Sequence, residues 1–160
     1  LGTDQALTFL REVDSINMRR RDRVVQVAKE VCGGSVLGKR VTVLGAAFKP
    51  NSDDVRDSPA LSVAGSLSLQ GADVSVYDPE AMDNARKVFP TLGYSVNVEE
   101  ALEGADVVVL ATEWQEFRDL DPQAAARVVS TPIMIDGRNV LDVDKWKAAG
   151  WTLHALGRNV

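Results

Sequence analysis

The chain has 160 residues, 45% hydrophobic and 26% charged, with a formal net charge of −5, which suits one well-cored domain plus an appendage and argues against general nucleic-acid binding, where a concentrated basic surface is needed. A lone Cys32 and a single histidine supply neither an internal disulfide nor a cluster spaced for a metal, so no metal site is expected. No apolar run approaches the roughly 20 residues of a membrane helix, and the start lacks the basic-then-apolar order of a signal peptide, so the expectation is a cytoplasmic protein with no membrane partner.

The chain opens on Leu1 and Gly2 without an initiator Met, directly before a helical pattern, and reads as a fragment or processed piece of a longer protein. From about Asp4 to Val31 there is no Gly or Pro, and Phe9, Val13, Ile16, Val24, Val27 and Val31 recur at helical spacing. This predicts one amphipathic helix of roughly 40 Å, capped by Thr3 or Asp4 and stopped by Gly33 and Gly34. A second apolar set, Leu7, Leu10, Met18 and Val25, gives it more greasy surface than one sheet covers, which points to a second domain or subunit.

Strand and helix patterns then alternate. Short β-branched runs stand at 41–45, 74–78, 107–111, 133–136 and 152–156, separated by stretches long enough for crossover helices. The fold class that follows is α/β: a Rossmann-like open parallel sheet of five or more strands with helices on both faces, preceded by one long α-helix. Ser58 is placed to cap the first crossover helix with Pro59 at its first position and Gly71 beyond its end, and Asp144 to cap the last helix before Gly150. The domain reading is 1–34 for the helix and 35–160 for the sheet.

The segment Val41 to Pro50 begins like a nucleotide-binding βαβ unit and then departs from it. Where Gly-x-Gly-x-x-Gly is expected, the chain has Gly45, Ala46, Ala47, Phe48, Lys49 and Pro50. The following loop runs to Asp57, about a dozen residues where such loops take about 2–6, and carries Lys49, Asn51, Asp53, Asp54, Arg56 and Asp57. With the helix starting so late, side chains rather than its amino end must meet an anion; the alternative is a solvated loop whose charges pair with one another. In five strands ordered 3-2-1-4-5, the first and fourth flank the reversal. Lys49 past the first and Arg138 past the fourth then face one crevice, where an ammonium and a forked guanidinium suit a diphosphate or phosphorylated sugar. Taken alone, each is also simply a surface cation.

Other residues read more plainly. Cys32 sits at a helix carboxyl end, which disfavours a thiolate, and is inert. Asp78, where a dinucleotide enzyme binds ribose, reads as a turn former before Pro79. His154 within the last strand is structural. Arg19, Arg20, Arg21 and Arg23 spread around their helix and form no basic stripe, so they are solvated or bridge subunits. Trp114, Trp146 and Trp151 are packing residues, Trp114 near enough to the crevice to border it.

Residues 45–59, Gly-Ala-Ala-Phe-Lys-Pro-Asn-Ser-Asp-Asp-Val-Arg-Asp-Ser-Pro, together with Val-Tyr-Asp-Pro at 76–79, Ala-Thr-Glu-Trp at 111–114 and Asp-Gly-Arg-Asn at 136–139, resemble the carboxyl-terminal domain of the UDP-glucose dehydrogenase family. That family includes the UDP-N-acetylmannosamine and GDP-mannose dehydrogenases. The first helix resembles its central helix, which joins two Rossmann-like domains and forms the dimer contact. By this resemblance Phe48, Lys49 and Arg138 bind the UDP-sugar and Arg56 reaches NAD held mainly by the amino-terminal domain. The family oxidises the sugar's primary alcohol to a carboxylate in two NAD-dependent steps on a cysteine from an upstream Gly-rich motif. Nothing in these 160 residues matches that motif, so the expectation is a substrate-binding part with no catalytic residue of its own and no activity alone. The alternatives are another nucleotide sugar within the family, or a non-catalytic nucleotide-binding or oligomerisation module.

Overall fold

A computed structural model describes residues 2–157. Helix α1 spans Gly2–Val31 and strand β1 Arg40–Leu44; α2 (Pro59–Leu69), β2 (Asp73–Tyr77), α3 (Met82–Val88), β3 (Gly93–Tyr94), α4 (Val98–Leu102), β4 (Val107–Leu110), α5 (Gln115–Arg118), α6 (Pro122–Val128), β5 (Ile133–Asp136), α7 (Val143–Ala148) and β6 (Thr152–Ala155) follow. The six strands form one sheet in the order β3-β2-β1-β4-β5-β6, and every pairing is parallel. The strand order reverses between β1 and β4, which is where an open α/β sheet offers its crevice, beyond the carboxyl ends.

The apolar runs explain the centre. All four residues of β4 are buried, as a strand covered on both faces requires. Trp146 of α7 and Trp151 before β6 meet edge to face at 5.0 Å, a geometry worth about 0.5–1.5 kcal/mol beyond area burial. Ser58 caps α2, its side chain accepting from the Leu61 amide, with Pro59 at the first helical turn, as the sequence predicts.

The six strands meet the expectation of five or more, and two finer expectations, the neighbours of the 133–136 strand and the cap of α7, are corrected. The strand β3 is only Gly-Tyr, too short for any pattern, and exists because Ser75 and Val76 of β2 pair with it. Counting it makes 133–136 the fifth strand, so β4 lies between it and β1; Lys49 and Arg138 therefore do not follow neighbouring strands. The cap of α7 is Asp142, whose carboxylate accepts from the Lys145 amide, while Asp144 lies inside the first turn.

Helix α1 is divided in its packing. Val24, Val27 and Ala28 join the core, whereas residues 2–20 are all exposed, including Phe9 at 65% and Met18 at 62%. At 1.5 Å per residue that leaves about 28 Å of helix with an apolar face in water.

The cap correction is open to direct test: Asp142→Ala should lower the free energy of unfolding by about 1 kcal/mol, and Asp144→Ala by distinctly less, in urea denaturation of the two variants.

Candidate nucleotide site at the carboxyl edge

The turn after β1 is built around one buried side chain. Gly45 adopts φ 112°, and a Cβ there would lie 2.4 Å from Thr112 Oγ1 and 2.8 Å from the Thr112 backbone nitrogen, so only glycine fits. Asp78, 1% exposed at the end of β2, sends Oδ2 across to this turn. It accepts from the amides of Ala46 and Ala47 at 2.8 and 2.9 Å and from the Trp114 indole at 3.0 Å. Its Oδ1 accepts from the Glu80 and Ala81 amides, each at 2.9 Å. The turn role expected of Asp78 is therefore carried by one oxygen. The other was not legible, because its partners stand 31 to 36 positions away.

The loop from this turn to α2 is pinned at both ends. The Phe48 amide donates to the Asp54 carbonyl at 2.7 Å, and Ser58 Oγ donates to the Ala46 carbonyl at 2.6 Å. Phe48 and Lys49 are both exposed at its start, Phe48 at 54%. Internal charge pairing, the alternative weighed for this loop, holds for one pair: Arg56 Nε and Nη2 meet the two Asp54 oxygens at 3.0 and 2.8 Å. Hydrogen bonds from that guanidinium hold the Asp54 carboxyl down at about 2, and Asp54 in turn raises Arg56. Arg21 of α1 is half-buried, and its Nη2 donates to the Asp57 carbonyl at 3.1 Å.

On the far side of β4, Asp136 ends β5 fully buried. Its Oδ1 accepts from the Arg138 amide at 3.0 Å and its Oδ2 from the amides of Val140 and Leu141, both at 2.9 Å, which shapes the loop that presents Arg138. The guanidinium forks onto Glu113, Nε to Oε2 at 2.5 Å and Nη2 to Oε1 at 3.2 Å. Glu113, which sequence reasoning passed over, stands between Thr112, whose Oγ1 donates to the Ala47 carbonyl after β1 at 2.9 Å, and Trp114, whose indole donates to Asp78 after β2. The segment after β4 thus ties the Lys49 loop to the Arg138 loop although their strands are not adjacent.

The remaining expectations fall as follows. Burial pushes the Cys32 thiol up, against a smaller lowering from Lys39, which agrees with an inert residue. Trp114, Trp146 and Trp151 are buried, and His154 lies half-buried in β6. Burial and then the Glu116 carboxylate push the Tyr77 phenol up to about 12. Among the described residues no cluster of potential ligands could hold a metal ion, and no helix is long and apolar enough to cross a membrane. A cleft of about 370 Å³ lies at the other end of the sheet, lined by Arg40, Thr42, Asp73, Ser75 and Glu100 among others, and includes none of the site residues named above.

A parallel doubly wound sheet whose first turn is filled by its own carboxylate, with Lys49 and Arg138 on loops either side of β4, defines a Rossmann-like domain. Comparison with known proteins agrees. The model of the UDP-glucose/GDP-mannose dehydrogenase family, UDP binding domain, matches residues 42–143. A UDP-glucose 6-dehydrogenase of Rhizobium meliloti (strain 1021) is 37% identical over 155 residues, covering 97% of this chain and 36% of that protein; the YwqF enzyme of the same name from Bacillus subtilis (strain 168) is 35% identical, covering 94% and 34%. Among solved structures, a UDP-glucose dehydrogenase from Pyrobaculum islandicum superposes with a TM-score of 0.74 at 33% identity, covering 89% of this chain and 32% of that one. An NDP-N-acetyl-D-galactosaminuronic acid dehydrogenase from Methanosarcina mazei Go1 gives 0.76 at 30%, covering 91% and 30%. The chain belongs to the UDP-glucose/GDP-mannose dehydrogenase family, and it carries that family's UDP binding domain. It spans about a third of the length of the curated relatives it matches.

The Arg56 and Asp54 pair makes a titration prediction. Followed by carboxyl NMR, Asp54 should titrate at about 2, and in Arg56→Ala it should return toward the ordinary range. Because the folded-state value is depressed, the pair's stabilisation is present above about pH 4 and lost as pH falls toward about 2.

Proposed function

We propose that this chain is the nucleotide-sugar-binding, C-terminal part of a UDP-glucose 6-dehydrogenase, an NAD-dependent oxidoreductase that converts UDP-glucose to UDP-glucuronate at the expense of two NAD. Residues 35–160 form the UDP-sugar-binding domain and residues 1–34 the helix that joins it to an NAD-binding catalytic domain. In this reading Lys49 and Arg138 meet the anionic nucleotide, Phe48 offers an aromatic wall, and Arg56 contacts the cofactor at the domain boundary. The setting is cytoplasmic.

The observation that carries the reading is the occupied turn: with the Ala46 and Ala47 amides already bonded to Asp78, the phosphates of a nucleotide must be met by side chains. The same observation tests the fit of NAD to this sheet. Its pyrophosphate has no seat here, and the fingerprint glycines are missing. The exposure of the Arg56 side chain, 88%, supports a contact with a cofactor held elsewhere. NAD, when bound by the whole protein, accepts the hydride. The task of this chain's residues is to bind and orient the substrate, and none of them performs the oxidation.

The alternatives within the family are oxidation of UDP-N-acetylmannosamine or of GDP-mannose, and the likeness to the Methanosarcina enzyme favours an N-acetylated nucleotide sugar. Turnover of the full-length protein against the candidate nucleotide sugars decides between them. The exposed apolar face of α1 supports a homodimer through that helix, since about 28 Å of such surface calls for a partner. Sedimentation should give a dimer for the wild-type chain and a monomer for Phe9→Asp combined with Ile16→Asp.

The purified chain should bind UDP in calorimetry yet show no turnover with UDP-glucose and NAD. Lys49→Ala or Arg138→Ala should each weaken UDP by about 1.5–3 kcal/mol, on the order of tenfold or more. Turnover by the chain alone, or unchanged binding in both variants, would remove this assignment.

A further inference from the structure

From the Ala46 amide to the Phe48 amide every backbone polar group is bonded. Both amides of Ala46 and Ala47 donate to Asp78 Oδ2, the Ala46 carbonyl accepts from Ser58 Oγ and the Ala47 carbonyl from Thr112 Oγ1. The Phe48 amide is held by the Asp54 carbonyl. Of these tethers only Asp78 holds two consecutive residues at once, and only it is ionisable and almost wholly buried. In a dinucleotide-binding turn the corresponding amides face a pyrophosphate. Here a resident carboxylate takes the ligand's place, and five N–H donors spend its charge.

We propose that Asp78 is the positioning and specificity residue of the nucleotide site: it acts through the turn to aim Lys49, and it denies the turn's amides to phosphate so that recognition passes to that side chain. This rests on the UDP reading above. An asparagine at 78 has the same shape, but its amide hydrogens must face either the Ala46, Ala47 and Trp114 donors or the Glu80 and Ala81 donors. Donor against donor opens one half of the cluster, and loss of the negative charge weakens the hydrogen bonds of the other, so the Ala46 and Ala47 amides are loosened in either orientation.

The test is a double-mutant cycle on the chain, read as UDP affinity by calorimetry and paired with amide hydrogen exchange. Asp78→Asn should weaken UDP about tenfold in the wild-type background and should add almost nothing to Lys49→Ala, because a residue acting through Lys49 has nothing left to act through. In the same variant the Ala46 and Ala47 amides should exchange faster while those of β1 and β4 stay protected. A role in general stability alone predicts instead an equal loss in both backgrounds. That result, or unchanged UDP affinity, or unchanged protection at Ala46 and Ala47, overturns the proposal. Wild-type chain that fails to bind UDP strikes the nucleotide reading itself, a different outcome from wild-type binding that Asp78→Asn leaves intact. If Asp78→Asn does not fold, Trp114→Phe removes one donor from the same oxygen. It should show a smaller loss, two- to threefold, that likewise vanishes beside Lys49→Ala; a loss that persists there counts against the proposal.

Discussion

A carboxylate withdrawn from water costs several kcal/mol unless its lone pairs are filled by well-aligned donors. Asp78 meets that condition with donors from three separate segments, two amides after β1, two amides before α3 and the Trp114 indole after β4. The three strand ends that frame the switch point are thus held to one another by side-chain chemistry as well as by the sheet ladder. Asp136 repeats the device one strand further on, with three amides on its two oxygens. Two buried acids shape the loops that two basic residues ride on.

Much of this architecture was legible because it is local. The run at 107–110 announces a strand covered on both faces, and Ser58-Pro59 carries its own cap and first turn. What escaped reading depends on distant partners. The strand Gly93–Tyr94 is defined by its pairing with β2, and missing it shifted the count that placed Arg138 beside Lys49. Asp142 and Asp144 both stand at plausible cap positions, and only backbone geometry separates them. The link from Glu113 to Arg138 spans 25 positions and leaves no spacing signal, since charged residues on a loop are the commonest of all.

The domain divides its labour in an unusual way for a doubly wound sheet. The β1 turn, which meets the ligand in a dinucleotide-binding sheet, is here bonded internally to Asp78, and the loop after it is exposed at Phe48 and Lys49. Helix α1 is divided along its length, with Val24, Val27 and Ala28 committed to the core and residues 2–20 exposed.

The fork between Glu113 and Arg138 has a directional consequence. A guanidinium carries five N–H groups in a rigid plane, and Glu113 engages the edge made by Nε and Nη2. The edge turned toward Nη1 is therefore the one left to a newcomer, and the pair as a whole is electrically neutral before anything arrives. An incoming anion at this side of β4 finds hydrogen bonds of fixed heading more than a field that draws it from afar. The heading of any hydrogen bond that the free edge can offer is thus fixed by the Glu113 contact.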